Sequence, residues 1–193
     1  MTRLIFEIVF LVFAFVLVMI RRPFEKQNKS NVIDVDKKST LEKWLLGLTF
    51  LGVTALPFVF IFSSWLDFAN YQLPLSLNIL GAFLLIPSAI IFYRSHADLG
   101  RNWSVSLELR KAHVLITNGI YKHIRHPMYS ALWIASVGQA LILQNFIAGL
   151  SGMVGFGLLY FFRVEREEQM MVEQFGEDYL DYKKRTNRLM PKL

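Results

Sequence analysis

Two short stretches of the chain hold nearly all of the side chains that could do chemistry. The first closes on Arg125-His126-Pro127-Met128-Tyr129, and the second carries Arg163, Glu167 and Glu168. Pro127 suits the first turn of a helix, because its φ is already helical and its missing N–H would have no partner there. His126 is then the cap, and the backbone N–H groups of Met128 and Tyr129 form an anion site reinforced by the helix dipole. A plain helix start is the alternative reading of the same residues. Arg163 and Glu167 lie one helical turn apart on one face, with Glu168 beside them. An arginine held by a carboxylate can present its planar fork to an anionic group; snorkelling to lipid headgroups is its simpler role. His123 and His126 are three residues apart, but no carboxylate lies nearby to complete a ligand set, so no metal site is expected. There is no glycine-rich dinucleotide fingerprint, P-loop or catalytic triad. With no cysteine, disulfides, thiolate nucleophiles and cysteine-bound zinc are excluded.

The elements that must position these residues are apolar. Of the 193 side chains, 54% are hydrophobic and only 19% charged, too apolar for an ordinary soluble domain. Residues 44–66 and 68–93 carry no charge, and each reaches the roughly 20 residues that a membrane-spanning helix needs. Residues 127–162 are charge-free over 36 positions, enough for two spans of about 18 residues. Gln144 and Asn145 mark the middle of that run, which predicts a tight helical hairpin. Residues 4–20 form a shorter apolar stretch that contains Glu7. A secretory signal is the competing reading, but Arg21 and Arg22 follow directly and no small-residue cleavage site appears.

Charge placement orients these spans. Segments 21–43, 94–126 and 163–193 contain 7, 6 and 7 Lys plus Arg, so 20 of the chain's 21 fall on one side and only Arg3 opposite. The positive-inside rule makes that side cytoplasmic, with the N-terminus outside and the C-terminus inside. The expected fold is therefore an all-α, multi-pass integral membrane protein of five transmembrane helices. Its parts are three N-terminal helices within 1–93, a cytoplasmic linker at 21–43, and a region 94–193 holding a cytoplasmic loop, the hairpin 127–162 and a C-terminal helix. Met171, Val172, Phe175, Tyr179 and Tyr182 recur every three or four residues, which makes that last helix amphipathic. The net charge of +6 is explained by topology and anionic membrane lipids, without nucleic acid as a partner. The hairpin joins the two chemistry-bearing stretches, so they should meet.

Gly119-Ile120-Tyr121, Arg125-His126-Pro127-Met128-Tyr129, the hairpin, Arg163 with Glu167 and Glu168, and Phe175-Gly176 with Tyr179 and Tyr182 together resemble the isoprenylcysteine carboxyl methyltransferase family. Leu99-Gly100-Arg101-Asn102-Trp103 is similar to the motif that precedes them there, and the small size resembles compact prokaryotic members. The resemblance implies S-adenosylmethionine as cofactor, bound without a soluble Rossmann domain. It implies a pocket lined by His113, Val114, Leu115, Ile116, Tyr121, His126, Pro127, Met128 and Tyr129, closed by Glu167 or Glu168, with Arg163 holding the acceptor's carboxylate. The acceptor would be a prenylated or otherwise lipidic acid; a role for Glu108 is a guess. A phospholipid amine methyltransferase shares the Arg-His-Pro and Glu-Glu elements, though an amine would not welcome Arg163. A sterol-reductase-like enzyme would have a larger bundle. A transporter would place ionisable residues at mid-membrane, where these runs are nearly clean.

The topology is testable directly. Tags on the two termini should be reached from opposite faces of a sealed membrane, and labelling of both from one side would remove the five-span arrangement.

Overall fold

A computed structural model describes residues 2–28, 33–36, 39–100, 108–110 and 114–192. Helix α1 is Thr2–Asn28. Helix α2 (Thr40–Phe50) runs without a break through a π-helical turn at Leu51–Ala55 into α3 (Leu56–Phe62). Helix α4 is Leu75–Leu99, α5 is Pro127–Leu143, α6 is Ser151–Phe175 and α7 is Glu177–Arg185. Strands β1 (Ile33–Asp36) and β2 (Glu108–Arg110) pair antiparallel, a short ribbon in an otherwise helical chain.

Among the described residues, three helical stretches are long and apolar enough to cross a membrane: Thr2–Gln27, Thr40–Phe62 and Leu75–Leu99. Their outward faces carry exposed Phe15, Trp44, Phe62 and Phe83, the opposite of a water-facing surface. Helices α5 and α6 form the hairpin, but α5 is 17 residues long and α6 carries charge from Arg163 onward. The expected pair of equal spans is thus one short apolar helix and one whose second half is polar.

Three boundaries differ from expectation. The linker starts later, because α1 continues to Asn28 through Pro23. The charge-free run 68–93 is not one helix. Residues 70–74 form a connection, α4 begins after Pro74, and it continues through Arg94, His96 and Asp98. Absence of charge does not by itself mark a helix. The C-terminal helix is two helices, since Gly176 adopts φ +53 and ends α6.

Polar side chains take over where charge is missing. Gln144 closes α5 in the left-handed region, and its side-chain oxygen accepts from the Leu73 N–H at 2.8 Å. Fully buried Asn145 donates to the Leu66 carbonyl at 2.7 Å and to Asn70 at 2.9 Å, and accepts from the N–H groups of Ile147 and Ala148. The connection 63–74 and the hairpin turn are thereby fastened together, with several of their backbone groups paired across the contact.

Helix α1 packs on α4 and α5 around Phe6, Phe10, Phe13, Phe60, Leu85 and Leu143. Helix α2 and its π turn pack on α6. Their approach is close, because Gly52 in the π turn and Gly155 of α6 carry no side chain. The Gly52 carbonyl there accepts from Ser151 Oγ at 2.7 Å and Gln139 Nε2 at 3.0 Å. A Cβ on Gly52 would stand 2.1 Å from the Ser151 carbonyl oxygen. Gly52→Ala should therefore lower the thermal unfolding midpoint in detergent, by an overpacking cost of about 1–3 kcal/mol. Gly47→Ala is the control, since nothing lies within 4 Å of a Cβ there. Equal midpoints for the two variants would show that α2 and α6 do not need this contact.

Candidate functional site

The helices enclose a cavity of about 620 Å³, bounded by α1, α2, α5, α6 and the segment that precedes α5. That segment is fixed as a roof. The Ile120 N–H donates to Asp98 at 2.7 Å, Tyr121 OH to the Ser95 carbonyl at 3.2 Å, and Tyr182 OH to the Tyr121 carbonyl at 2.5 Å. The tail covers it further, with the N–H groups of Arg125 and His126 donating to the carbonyls of Asn187 and Arg188.

The two stretches singled out from the sequence meet in this cavity. Val114, Leu115, Ile116 and Tyr121 line it from the roof. His126, Pro127, Met128 and Tyr129 line it from the start of α5, and Arg163 and Glu167 from α6. His113 lies outside the described residues. Glu168 is not among the described lining residues. Met171, Tyr179 and Tyr182, expected to pack, also reach the cavity wall.

Pro127 does begin α5 with His126 as its cap residue, but the imidazole makes no capping hydrogen bond. It stacks on Tyr129, with ring centres 5.3 Å apart and planes 13° apart, and its Nε2 stands 3.2 Å from Glu168 Oε1. Tyr129 OH donates a short hydrogen bond to Glu167. Glu167 in turn lies 3.6 Å from Arg163 Nε. The plain-cap role and the binding role of His126 are thus compatible, because its backbone starts the helix while its ring faces the cavity.

Glu167 and Glu168 occupy different surroundings, as neighbours on a helix must. Glu168 is buried and faces four cations or potential cations. Arg125 contacts it at 3.0 Å, Arg188 at 2.9 Å, Lys183 at 3.1 Å and His126 at 3.2 Å. Arg125 also donates to the Lys183 and Thr186 carbonyls, so α6, α7, the tail and the turn before α5 are joined at one carboxylate. Burial pushes the Glu168 carboxyl up, but hydrogen bonds from His126, Arg188 and Lys183 outweigh that and hold it well below the usual carboxylate range.

Sequence reasoning missed Glu42, which it left in the linker. Glu42 is buried, and its Oε1 is 3.4 Å from Arg163 Nη1. The available signal was Ser39-x-x-Glu42, the spacing of a helix start, and Ser39 Oγ does accept from the Glu42 N–H at 3.1 Å. Arg188 was also missed, because nothing in the tail's spacing points to Glu168.

The profile of the Isoprenylcysteine carboxyl methyltransferase (ICMT) family matches residues 79–173. A protein-S-isoprenylcysteine O-methyltransferase of Dictyostelium discoideum is 35% identical over 133 residues, covering 66% of this chain and 54% of that protein. The Homo sapiens protein of the same name is 31% identical over 138 residues, covering 67% and 49%. The chain spans about half the length of the curated relatives it matches.

The Glu168 cluster predicts an acid limb in stability. A carboxyl whose folded pKa is depressed stabilises the fold above its unfolded value, about 4.3 for Glu, and that contribution disappears as pH falls through the lower folded value. Wild-type thermal midpoints should therefore fall as pH drops below about 4. Glu168→Gln should be destabilised at pH 7 by about 3–5 kcal/mol, the cost of breaking a buried pair, and should show a flatter acid limb. An unchanged midpoint at pH 7 would show that Arg125, Lys183, Arg188 and His126 are accommodated without this carboxylate.

Proposed function

The chain belongs to the isoprenylcysteine carboxyl methyltransferase family, and on that premise we propose that it methylates the carboxylate of a prenylcysteine or similar lipid acid at the cytoplasmic membrane face. The observation that carries this reading is a single cavity with two kinds of wall. One end holds His126, Tyr129, Arg163 and Glu167; the other runs between Phe10 and Phe13 of α1, Val53 and Phe58 of the α2–α3 rod, and Leu132 of α5. A polar head and an apolar tail can be held together only in such a space.

S-adenosylmethionine fits the polar end by chemistry, and the cavity as a whole is of ligand size. Pockets for ligands of that size run about 300–1,000 Å³, and this cavity lies within the range. Apolar Val114, Leu115, Ile116 and Met128 would cover its flat and aliphatic parts. Glu167, with Tyr129 as its donor, gives a wall that favours a cation. When bound, the cofactor supplies an electrophilic methyl group on a positively charged sulfur.

The remaining work belongs to the chain's residues. A carboxylate acceptor is ionised at neutral pH, with a reference pKa of roughly 3.5–4, so no general base is required. Arg163 would hold it, using the planar guanidinium fork. Holding the acceptor against the methyl donor converts an encounter into an oriented step, and a site closed to water strengthens it, because charge is cancelled as the methyl group moves. The apolar limb would accept the lipid tail from the bilayer, since α1 packs on α4 and α5 while α2 packs on α6, and both walls reach the cavity.

A second reading, a phospholipid amine acceptor, draws on the two carboxylates beside Arg163, which leave that spot with excess negative charge. Transfer of labelled methyl from S-adenosylmethionine to a prenylcysteine analogue in detergent, beside a phosphatidylethanolamine control, separates the two. Methylation of the prenylcysteine alone is expected. Arg163→Lys keeps the charge but loses the two-point grip, so transfer should fall by roughly tenfold or more while cofactor affinity stays near wild type. Arg163→Ala should be worse. His126→Ala and Tyr129→Ala should weaken cofactor binding in protein that remains folded. Wild-type transfer by both Arg163 variants, or methylation of phosphatidylethanolamine instead, would overturn the carboxylate reading.

A further inference from the structure

We propose that Glu42 is the positioning residue that aims the Arg163 guanidinium at the acceptor carboxylate. This rests on the carboxylate-acceptor reading of the site. Glu42 lies outside residues 79–173, the part of the chain that the family profile matches.

The guanidinium of Arg163 is gripped from two helices. Glu167 stands 3.6 Å from Nε and is one turn along the same helix, so it moves with Arg163. Glu42 stands 3.4 Å from Nη1 and comes from α2. A carboxylate on the arginine's own helix leaves the plane free to turn about its long side chain; a second one from another helix removes that freedom. The reference is rigid, because α2 and α6 are in close contact. Thr49 Oγ1 donates to the Gly155 carbonyl at 3.2 Å, and a Cβ on Gly155 would stand 2.5 Å from the Leu48 carbonyl oxygen. Ser39 caps the first turn of α2 and fixes the backbone of Glu42 itself.

Stability alone does not account for the pair. Glu42 and Arg163 are both buried, and a buried ion pair is commonly no more stabilising than well-packed apolar side chains of the same volume. Its contacts are also longer than the roughly 2.7–2.9 Å of short charge-assisted hydrogen bonds. An incoming carboxylate therefore meets an oriented guanidinium held by two ion pairs of moderate length. Glu42 touches neither methyl donor nor acceptor in this scheme and acts through Arg163.

The test uses the full-length protein in detergent, the prenylcysteine analogue and S-adenosylmethionine. Glu42→Gln keeps the shape and removes the charge. It should lower kcat/KM for the acceptor by about tenfold or more, while cofactor affinity, measured on the same preparation, stays within about twofold. Glu42→Asp keeps the charge at shorter reach and should recover part of that loss. In an Arg163→Lys background, Glu42→Gln should add less than about twofold, because the group it aims is already altered. If Glu42→Gln fails to retain cofactor binding, Glu42→Asp is read in its place, with a smaller fall in acceptor kcat/KM expected. A folded Glu42→Gln enzyme with wild-type kcat/KM, or a loss that multiplies fully with Arg163→Lys, would overturn the proposal. A rise in acceptor kcat/KM would also overturn it and make Glu42 a repulsive neighbour instead. Failure of the wild type to methylate the acceptor overturns the functional reading itself, whereas a normal wild type beside an unaffected Glu42→Gln overturns this inference alone.

Discussion

Charge buried at the edge of an apolar bundle has to be paired, and that requirement decides where the polar segments of this chain go. Withdrawing an ion from water costs several kcal/mol unless a partner compensates. Glu168 meets the requirement with Arg125 from before α5 and with Lys183 and Arg188 from the C-terminal region, all drawn to one point. The consequence reaches the site, because fastening Arg125 also places His126 against Glu168 and stacks its ring on Tyr129. Arg163 poses the same problem five residues earlier and is met by Glu42 and Glu167. Glu167 and Glu168 are separated by about 100° around the helix, so one faces the cavity and the other the clamp that holds its roof.

Backbone satisfaction is the second constraint, and it shapes the cavity's far end. A π turn in a membrane-type helix shifts a carbonyl out of the regular ladder, and no water stands ready to satisfy it. The Gly52 carbonyl is met by Ser151 and Gln139, which brings α2, α5 and α6 together where Gly52 has no side chain. Thr49 and Val53, on either side of Gly52, line the cavity, as does Gln139. The close contact that permits the π turn thus also supplies one wall of the space.

The parts of this arrangement that sequence revealed are those governed by local rules. Pro127 announces the start of α5 because its φ and missing N–H act on its own residue. Gln144 and Asn145 announce the hairpin turn because polar side chains interrupt a long apolar run, and they do close it. Arg163 and Glu167 could be paired from their spacing alone. Long-range pairings were not legible. Glu42 and Arg163 are 121 positions apart by number, and nothing local marks Glu42 beyond the helix-start spacing with Ser39. Glu168 looked interchangeable with Glu167, since a one-residue step along a helix changes the neighbours completely while leaving the motif intact. The run 68–93 was misjudged because the connection 70–74 is built from uncharged residues, so nothing in the charge pattern separates it from α4.

On the proposed reading, the site serves an acceptor that is already reactive. Removing a proton calls for a base tuned to working pH, whereas an ionised carboxylate calls only for position and a dry surrounding. Three of the titratable groups at the polar end are committed to one another in keeping with that division of labour: Tyr129 to Glu167, and Arg163 to Glu167 and Glu42. The apolar limb adds energy from a distance. Burying a lipid tail contributes about 25 cal/mol per Å² of apolar surface, and tail burial far from the reacting atoms can be used to hold the head in place. On the proposed reading, a lipid acid with its tail between Phe10, Phe13, Val53, Phe58 and Leu132 brings its carboxylate to Arg163, so orientation follows from the same partition that draws the molecule out of the bilayer.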